Sequence, residues 1–177
     1  RPRLLVLGGS LGAQALNETV PQALAQLPAE QRPEVRHQAG MKHIDTARAA
    51  YQDAGVEAQT DAFVEDMAAA YAWADLVVCR AGALTIAELT AVGVAAILVP
   101  YPHAVDDHQT GNARYLVNAG AALLMPQSEL TADGLTILLR DVFADRARLL
   151  RMAEAARGLA HPEAARVVVE HCLQLAG

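Results

Sequence analysis

Cysteine, aromatic residues, net positive charge and long apolar runs are all scarce in this chain, and each scarcity removes a class of explanation. Only two cysteines occur, Cys79 and Cys172, with no metal-type spacing, so neither a disulfide framework nor a cysteine metal centre is expected and a reducing, cytoplasmic setting fits. A net charge of -6 argues against broad electrostatic attachment to nucleic acid or to an anionic membrane, so no nucleic-acid partner is expected. A phosphate could still be held by local N–H groups and one or two cations. The longest apolar stretch, 92–101, is too short to span a bilayer, and the N-terminus runs directly into a strand pattern without a signal-peptide core. A soluble chain is therefore expected, and its abrupt start suggests that an upstream part has been removed. Neither a repeat nor a low-complexity tract nor a long linker divides it.

What is present is a large apolar fraction. With 53% hydrophobic and 19% charged residues in 177, the chain can bury the core of one sizeable domain. Short apolar runs at 4–7, 35–37, 56–59, 76–79, 95–99 and 121–124 alternate with helical patterns. This rhythm predicts an α/β fold of the Rossmann-like, doubly wound kind: a parallel sheet of about six strands with helices on both faces. From Leu130 onward the pattern is helical only, with apolar stripes Leu135, Leu138, Leu139, Val142 and Leu149, Leu150, Met152, Ala153. Gly158 and Pro162 predict a stop and the start of a final helix, giving a helical C-terminal tail.

Ligands of open α/β sheets bind beyond the carboxyl ends of the strands, and the informative loops all fall there. Strand 76–79 runs into Arg80-Ala81-Gly82-Ala83-Leu84-Thr85-Ile86-Ala87-Glu88, where Gly82 allows close approach and a helix start offers free N–H groups to a phosphate and sugar. Thr85 and Glu88 also have the spacing of a capping box, which needs no ligand. Both readings stand on the local pattern.

The first strand ends in Gly8-Gly9-Ser10-Leu11-Gly12-Ala13. It is either a tight turn or a phosphate loop. A dinucleotide fingerprint would need glycine where Leu7 stands and an acidic residue where His37 and Gln38 end the second strand, while a P-loop would need G-K-[ST]. In the segment 60–67, Phe63 is one of two phenylalanines and could stack on a ring or simply cover the sheet edge. The densest polar cluster, Pro100 to Ala113, contains Gln109 and Asn112 three residues apart on one helix face, suited to sugar hydroxyls. Its rival readings are an acidic helix cap by Asp106 or Asp107, and a metal site from His103, Asp106, Asp107 and His108, which no recognised spacing supports. No hydrolytic triad is evident: Ser10 is outside any G-x-S-x-G, and His161 and His171 read as surface or packing residues.

Taken in order, Gly8 to Ala13, Phe63-Val64-Glu65-Asp66-Met67, Arg80 to Glu88 and Asp107-His108-Gln109-Thr110-Gly111-Asn112-Ala113 strongly resemble the MurG family, across essentially the whole chain. These bacterial enzymes move N-acetylglucosamine from UDP-N-acetylglucosamine to lipid I, making lipid II for peptidoglycan. The resemblance implies a C-terminal, nucleotide-sugar donor domain, residues 1–177, of a two-domain GT-B glycosyltransferase. It further implies that an absent N-terminal domain supplies the lipid acceptor site, the catalytic base and the contact with the cytoplasmic face of the inner membrane. No catalytic residue, metal or cofactor then belongs to this chain, and the isolated domain should not transfer sugar.

By the same resemblance Ser10 meets the diphosphate, the Val64 backbone reads the uracil edge beside Phe63, and Ala83, Leu84 and Thr85 serve the α-phosphate and sugar. Ile86 and Ala87 complete that segment, Glu88 accepts the ribose hydroxyls, Arg80 lends charge, and Gln109 and Asn112 face the N-acetylglucosamine. Two departures, Ala81 for serine and His108 for a second glutamine, bear on the sugar contacts alone. The rivals are a UDP-N-acetylglucosamine 2-epimerase, another GT-B transferase, or a non-catalytic partner-binding subunit.

Overall fold

A computed structural model describes residues 1–9, 13–104 and 107–163. Six strands, β1 (Arg3–Leu7), β2 (Glu34–Gln38), β3 (Gln59–Asp61), β4 (Leu76–Cys79), β5 (Ala95–Leu98) and β6 (Ala122–Leu124), form one sheet in the order β3-β2-β1-β4-β5-β6. Every pairing is parallel. The crossovers are α1 (Gln14–Ala25), α2 (Ile44–Asp53), α3 (Met67–Trp73), α4 (Ala83–Val92) and α5 (His108–Asn118), and α6 (Ala132–Ala144) and α7 (Arg146–Gly158) follow β6. This is the doubly wound α/β fold that the alternation predicts, with its direction reversing between β1 and β4.

The central strands β1, β4 and β5 lack polar alternation because both faces of the sheet are covered there, whereas β2 and β3, toward one edge, carry polar residues. Side chains still alternate by face: Leu4, Val6, Leu76, Val78 and Ile97 join one core with Leu16, Val20, Leu24, Leu135 and Leu139. Leu5, Leu7, Val77, Cys79 and Leu98 join the other with Tyr71, Ile86, Leu89 and Leu116. A continuous apolar strand thus feeds two cores, through its period of two.

Two strands begin later than the apolar runs suggest, for one physical reason. Val56 donates to Tyr51 O and Gly55 to Gln52 O, at 3.1 and 3.0 Å, with Gly55 at φ 62°, so these residues close α2 in a Schellman motif before β3 starts. Ala121 and Gly120 (φ 75°) do the same for α5, donating to Leu116 O and Val117 O at 2.9 Å each. In the tail, Leu135, Leu139, Val142, Leu149 and Met152 are buried as their spacing predicts, but Leu150 is 60% exposed and lies off the stripe. The helix expected after Pro162, with His171 and Cys172, lies outside the described residues. Among the described residues no helix is long and apolar enough to cross a membrane.

Candidate functional site

Leu7 and Cys79 are register partners, so the loops after β1 and β4 leave the sheet side by side at its point of reversal. After β1, Gly8 N–H donates to Gln38 O at 3.0 Å and Gly9 takes φ 79°, a left-handed conformation that glycine adopts without strain. Ser10 lies outside the described residues, as do Leu11 and Gly12. Helix α1 begins behind Ala13, which has no side chain able to cap it.

After β4, α4 also begins without a side-chain cap. Its N-cap is Gly82, at φ -65° and ψ 150°. The capping-box reading of Thr85 and Glu88 is therefore overturned: Thr85 is the third residue of the first turn and Glu88 lies most of a turn further on. The N–H groups of Ala83, Leu84 and Thr85 are left for water or a ligand, and the helix dipole places partial positive charge there. By contrast Asp66, Thr131 and Asp145 cap α3, α6 and α7, accepting from Ala69, Gly134 and Arg148 N–H groups. Leu84 is 74% exposed, whereas Ile86 is largely buried, its N–H donates to Gly82 O, and its side chain borders the space between α4 and α5.

Glu88 is half-buried, and its Oε2 accepts the Tyr71 hydroxyl at 2.9 Å. Cys79 lies close by: burial, and then the Glu88 charge, push its thiol up to about 12, so it is an inert packing group. Phe63 stands exposed at the β3–α3 loop while Val64 packs partly into the core, an orientation suited to presenting a ring face.

Gln109 and Asn112 do share a face of α5, and both hold the β4–α4 loop. Gln109 Oε1 accepts from Tyr101 N–H at 2.9 Å and Ala81 N–H at 3.2 Å, and Asn112 Nδ2 donates to Ala81 O at 2.9 Å. The two backbone donors fix the Gln109 amide so that its nitrogen is turned away from them and remains a donor. Arg80 donates to Val99 O at 3.2 Å and lies 5.5 Å from the Tyr101 ring centre. Burial pulls its guanidinium below the usual arginine range. Gly8, Gly9, Arg80, Tyr101 and Gln109 line one cleft of about 690 Å³ at this sheet edge, together with Glu18, His43 and Gln127. Ala83, Ala87 and Asn112 border a neighbouring, more apolar cleft of about 780 Å³ between α4 and α5. A further cleft, of about 470 Å³, lies at the opposite sheet edge among Pro2, Asp75, Gly93 and Leu150, away from all these loops.

The acidic-cap reading of the α5 start is corrected in part. Asp107 occupies the N-cap position at φ 51°, but its carboxylate accepts the Thr110 hydroxyl at 2.6 Å and caps no N–H; Asp106 lies outside the described residues. Among the described residues no group of three or more His, Cys, Asp or Glu side chains could hold a metal ion.

Sequence reasoning missed two supports of the site. One is Tyr71, hidden in an alanine-rich helix. The other is a buried network beneath the β1 and β2 loops: His37 bonds Tyr51 Oη through Nδ1 and Asn17 Oδ1 through Nε2, each at 2.9 Å, while Asn17 Nδ2 donates to Ala39 O at 3.1 Å. Because Asn17 spends its donor on Ala39, its oxygen must accept. His37 is therefore the neutral Nε2–H tautomer and Tyr51 donates to Nδ1.

The fold and this edge define a doubly wound α/β domain with an open cleft at its topological switch point. Residues 3–168 match the glycosyltransferase family 28 C-terminal domain, and the chain belongs to that family. It is 58% identical over 174 residues to a UDP-N-acetylglucosamine–N-acetylmuramyl-(pentapeptide) pyrophosphoryl-undecaprenol N-acetylglucosamine transferase of Marinobacter nauticus, covering 98% of this chain and 48% of that protein. The transferase of the same name from Alkalilimnicola ehrlichii is 62% identical over 172 residues, covering 97% and 48% respectively. The crystal structure of MurG from Acinetobacter baumannii superposes with a TM-score of 0.91 at 44% identity, over 98% of this chain and 52% of that one. The chain thus spans about half the length of the curated relatives it matches.

Proposed function

We propose that this chain is the donor half of a glycosyltransferase that moves N-acetylglucosamine from UDP-N-acetylglucosamine to undecaprenyl-diphospho-N-acetylmuramoyl-pentapeptide, in an inverting reaction. The observation that carries this reading is the pair of helix starts, α1 and α4, that rise from register-matched strand ends without side-chain caps. Two such N-termini suit a diphosphate, whose charge grows as the acceptor hydroxyl attacks the anomeric carbon and UDP departs. Family membership and the printed names of the relatives support the choice of sugar and acceptor.

Ser10 and the N–H groups of Ala83, Leu84 and Thr85 then hold the diphosphate, with the Arg80 charge alongside. Phe63 flanks the uracil and the Val64 backbone reads its edge. Glu88 accepts the ribose hydroxyls, a task suited to a carboxylate with two oxygens. The Gln109 amide nitrogen is the donor toward a sugar hydroxyl, and Asn112 keeps the loop between them in place. A partner domain, outside this chain, brings lipid I, the catalytic base and attachment to the cytoplasmic membrane surface.

Saturation-transfer NMR with UDP, UDP-N-acetylglucosamine, UDP-glucose and NAD tests the reading. Uridine protons should receive saturation and NAD should not. No uridine signal at millimolar ligand would overturn it, and lipid I turnover by this chain alone would overturn the division of labour.

A further inference from the structure

Tyr71 is a buried residue of α3, yet its hydroxyl is committed to Glu88, a half-buried carboxylate on α4. The side chain is 2% exposed and packs in the core formed by Val77, Cys79, Ile86 and Leu89. Among the described residues its hydroxyl has one partner, Glu88 Oε2, reached across the α3–α4 contact at 2.9 Å. A buried hydroxyl without a partner is costly, so this bond is held tightly by the packing around the ring. Glu88 is half-buried and has no other hydrogen bond or ion pair among the described residues. Three rotatable bonds would otherwise let its carboxylate sweep, and ordering such a side chain at the moment of binding weakens binding. A neutral O–H donor on Oε2 removes that freedom and leaves Oε1, with the remaining lone pair of Oε2, as acceptors.

We infer that Tyr71 is a positioning residue that presents the Glu88 carboxylate to a vicinal diol, so that discrimination of a ribose from a deoxygenated sugar depends on a side chain that never touches the nucleotide. This rests on the reading of Glu88 as the ribose acceptor. The inference places the selectivity for a 2′,3′-diol in the α3–α4 packing as well as in the Glu88 carboxylate itself.

Calorimetric affinities of UDP and 2′,3′-dideoxyuridine diphosphate for the unaltered chain, Tyr71→Phe and Glu88→Gln test it. Glu88→Gln keeps an oxygen for the Tyr71 hydroxyl but replaces one acceptor by a donor. The unaltered chain should prefer UDP, and Glu88→Gln should lose most of that preference. Tyr71→Phe should weaken UDP by about tenfold and leave the dideoxy compound within about twofold, because only the diol interaction is altered. A preference that survives Tyr71→Phe but not Glu88→Gln overturns the positioning role and leaves the ribose seat intact. A preference that survives Glu88→Gln, or its absence from the unaltered chain, overturns the seat itself. If both ligands weaken equally in Tyr71→Phe, the residue is structural only, which also overturns the inference. Tyr71→Met, which fills the space without a hydroxyl, replaces Tyr71→Phe should that variant not fold, with the same outcomes.

Discussion

The side-chain oxygen of Gln109 accepts the Ala81 N–H at 3.2 Å, tying the first turn of α5 to the loop that opens α4. The same oxygen takes the Tyr101 N–H at 2.9 Å. One amide therefore sets the spacing of two loops and, in doing so, orients its own nitrogen.

Gln109→Ala should leave both backbone donors without their partner, at a cost of roughly 1–3 kcal/mol if water does not replace it. Urea unfolding measures that loss. UDP-N-acetylglucosamine should weaken more than UDP in the same variant, since only the sugar loses a donor. Equal weakening of the two ligands would contradict the sugar contact.

Gly93→Ala should be far more damaging than Gly82→Ala. Gly93 ends α4 at φ 76°, and a Cβ there would lie 2.8 Å from Arg157 Cβ, so both backbone strain and overlap oppose it. A loss of about 2–4 kcal/mol is expected from these two effects. At Gly82 a Cβ would meet its nearest atom, Thr85 Oγ1, at 3.8 Å and the φ of -65° is ordinary, so thermal unfolding should move little. UDP affinity should nevertheless fall in Gly82→Ala if a phosphate approaches that backbone closely.

Burial lowers the pKa of His37 from 6.5 to about 3. Between those values the unfolded chain carries a proton on this residue that the folded chain does not, so acid favours unfolding. The contribution is complete above about pH 6.5 and is lost as pH falls toward 3. Urea unfolding should show stability dropping by up to about 1.4 kcal/mol per pH unit from this group across the middle of that window. His37→Gln should flatten that slope. An unchanged slope would place the acid sensitivity elsewhere.

In a Cys172→Ser background, Cys79 should resist iodoacetamide at pH 8 in the folded chain and react after denaturation. Its thiol is buried and pushed up to about 12, so little thiolate exists and little of it is reachable. Rapid labelling of the folded chain would show that the β4 end opens.

Several elements were readable from residue order because they depend on local chemistry. The alternation of apolar runs and helical stripes is set by side-chain periodicity, and six strands and their parallel sheet follow from it. The motifs from Gly8, Phe63, Arg80 and Asp107 are likewise local, and they alone pointed to a nucleotide-sugar domain. Less readable were the starts of β3 and β6, where the residue after a glycine serves the preceding helix instead of the strand. Thr85 and Glu88 carried the spacing of a cap, but Gly82 already begins the helix.

The order of residues by itself determined the α/β class, the edge of the sheet on which the informative loops lie, and the family resemblance. Tertiary structure alone decided that Tyr71 reaches Glu88, that Gln109 spends its oxygen on two backbone N–H groups, and that His37 is neutral. Each of these is a contact between residues 8 to 28 positions apart, or a burial that such contacts create. Periodicity tells which side of an element faces inward. Which polar atoms meet there is set by how the elements pack.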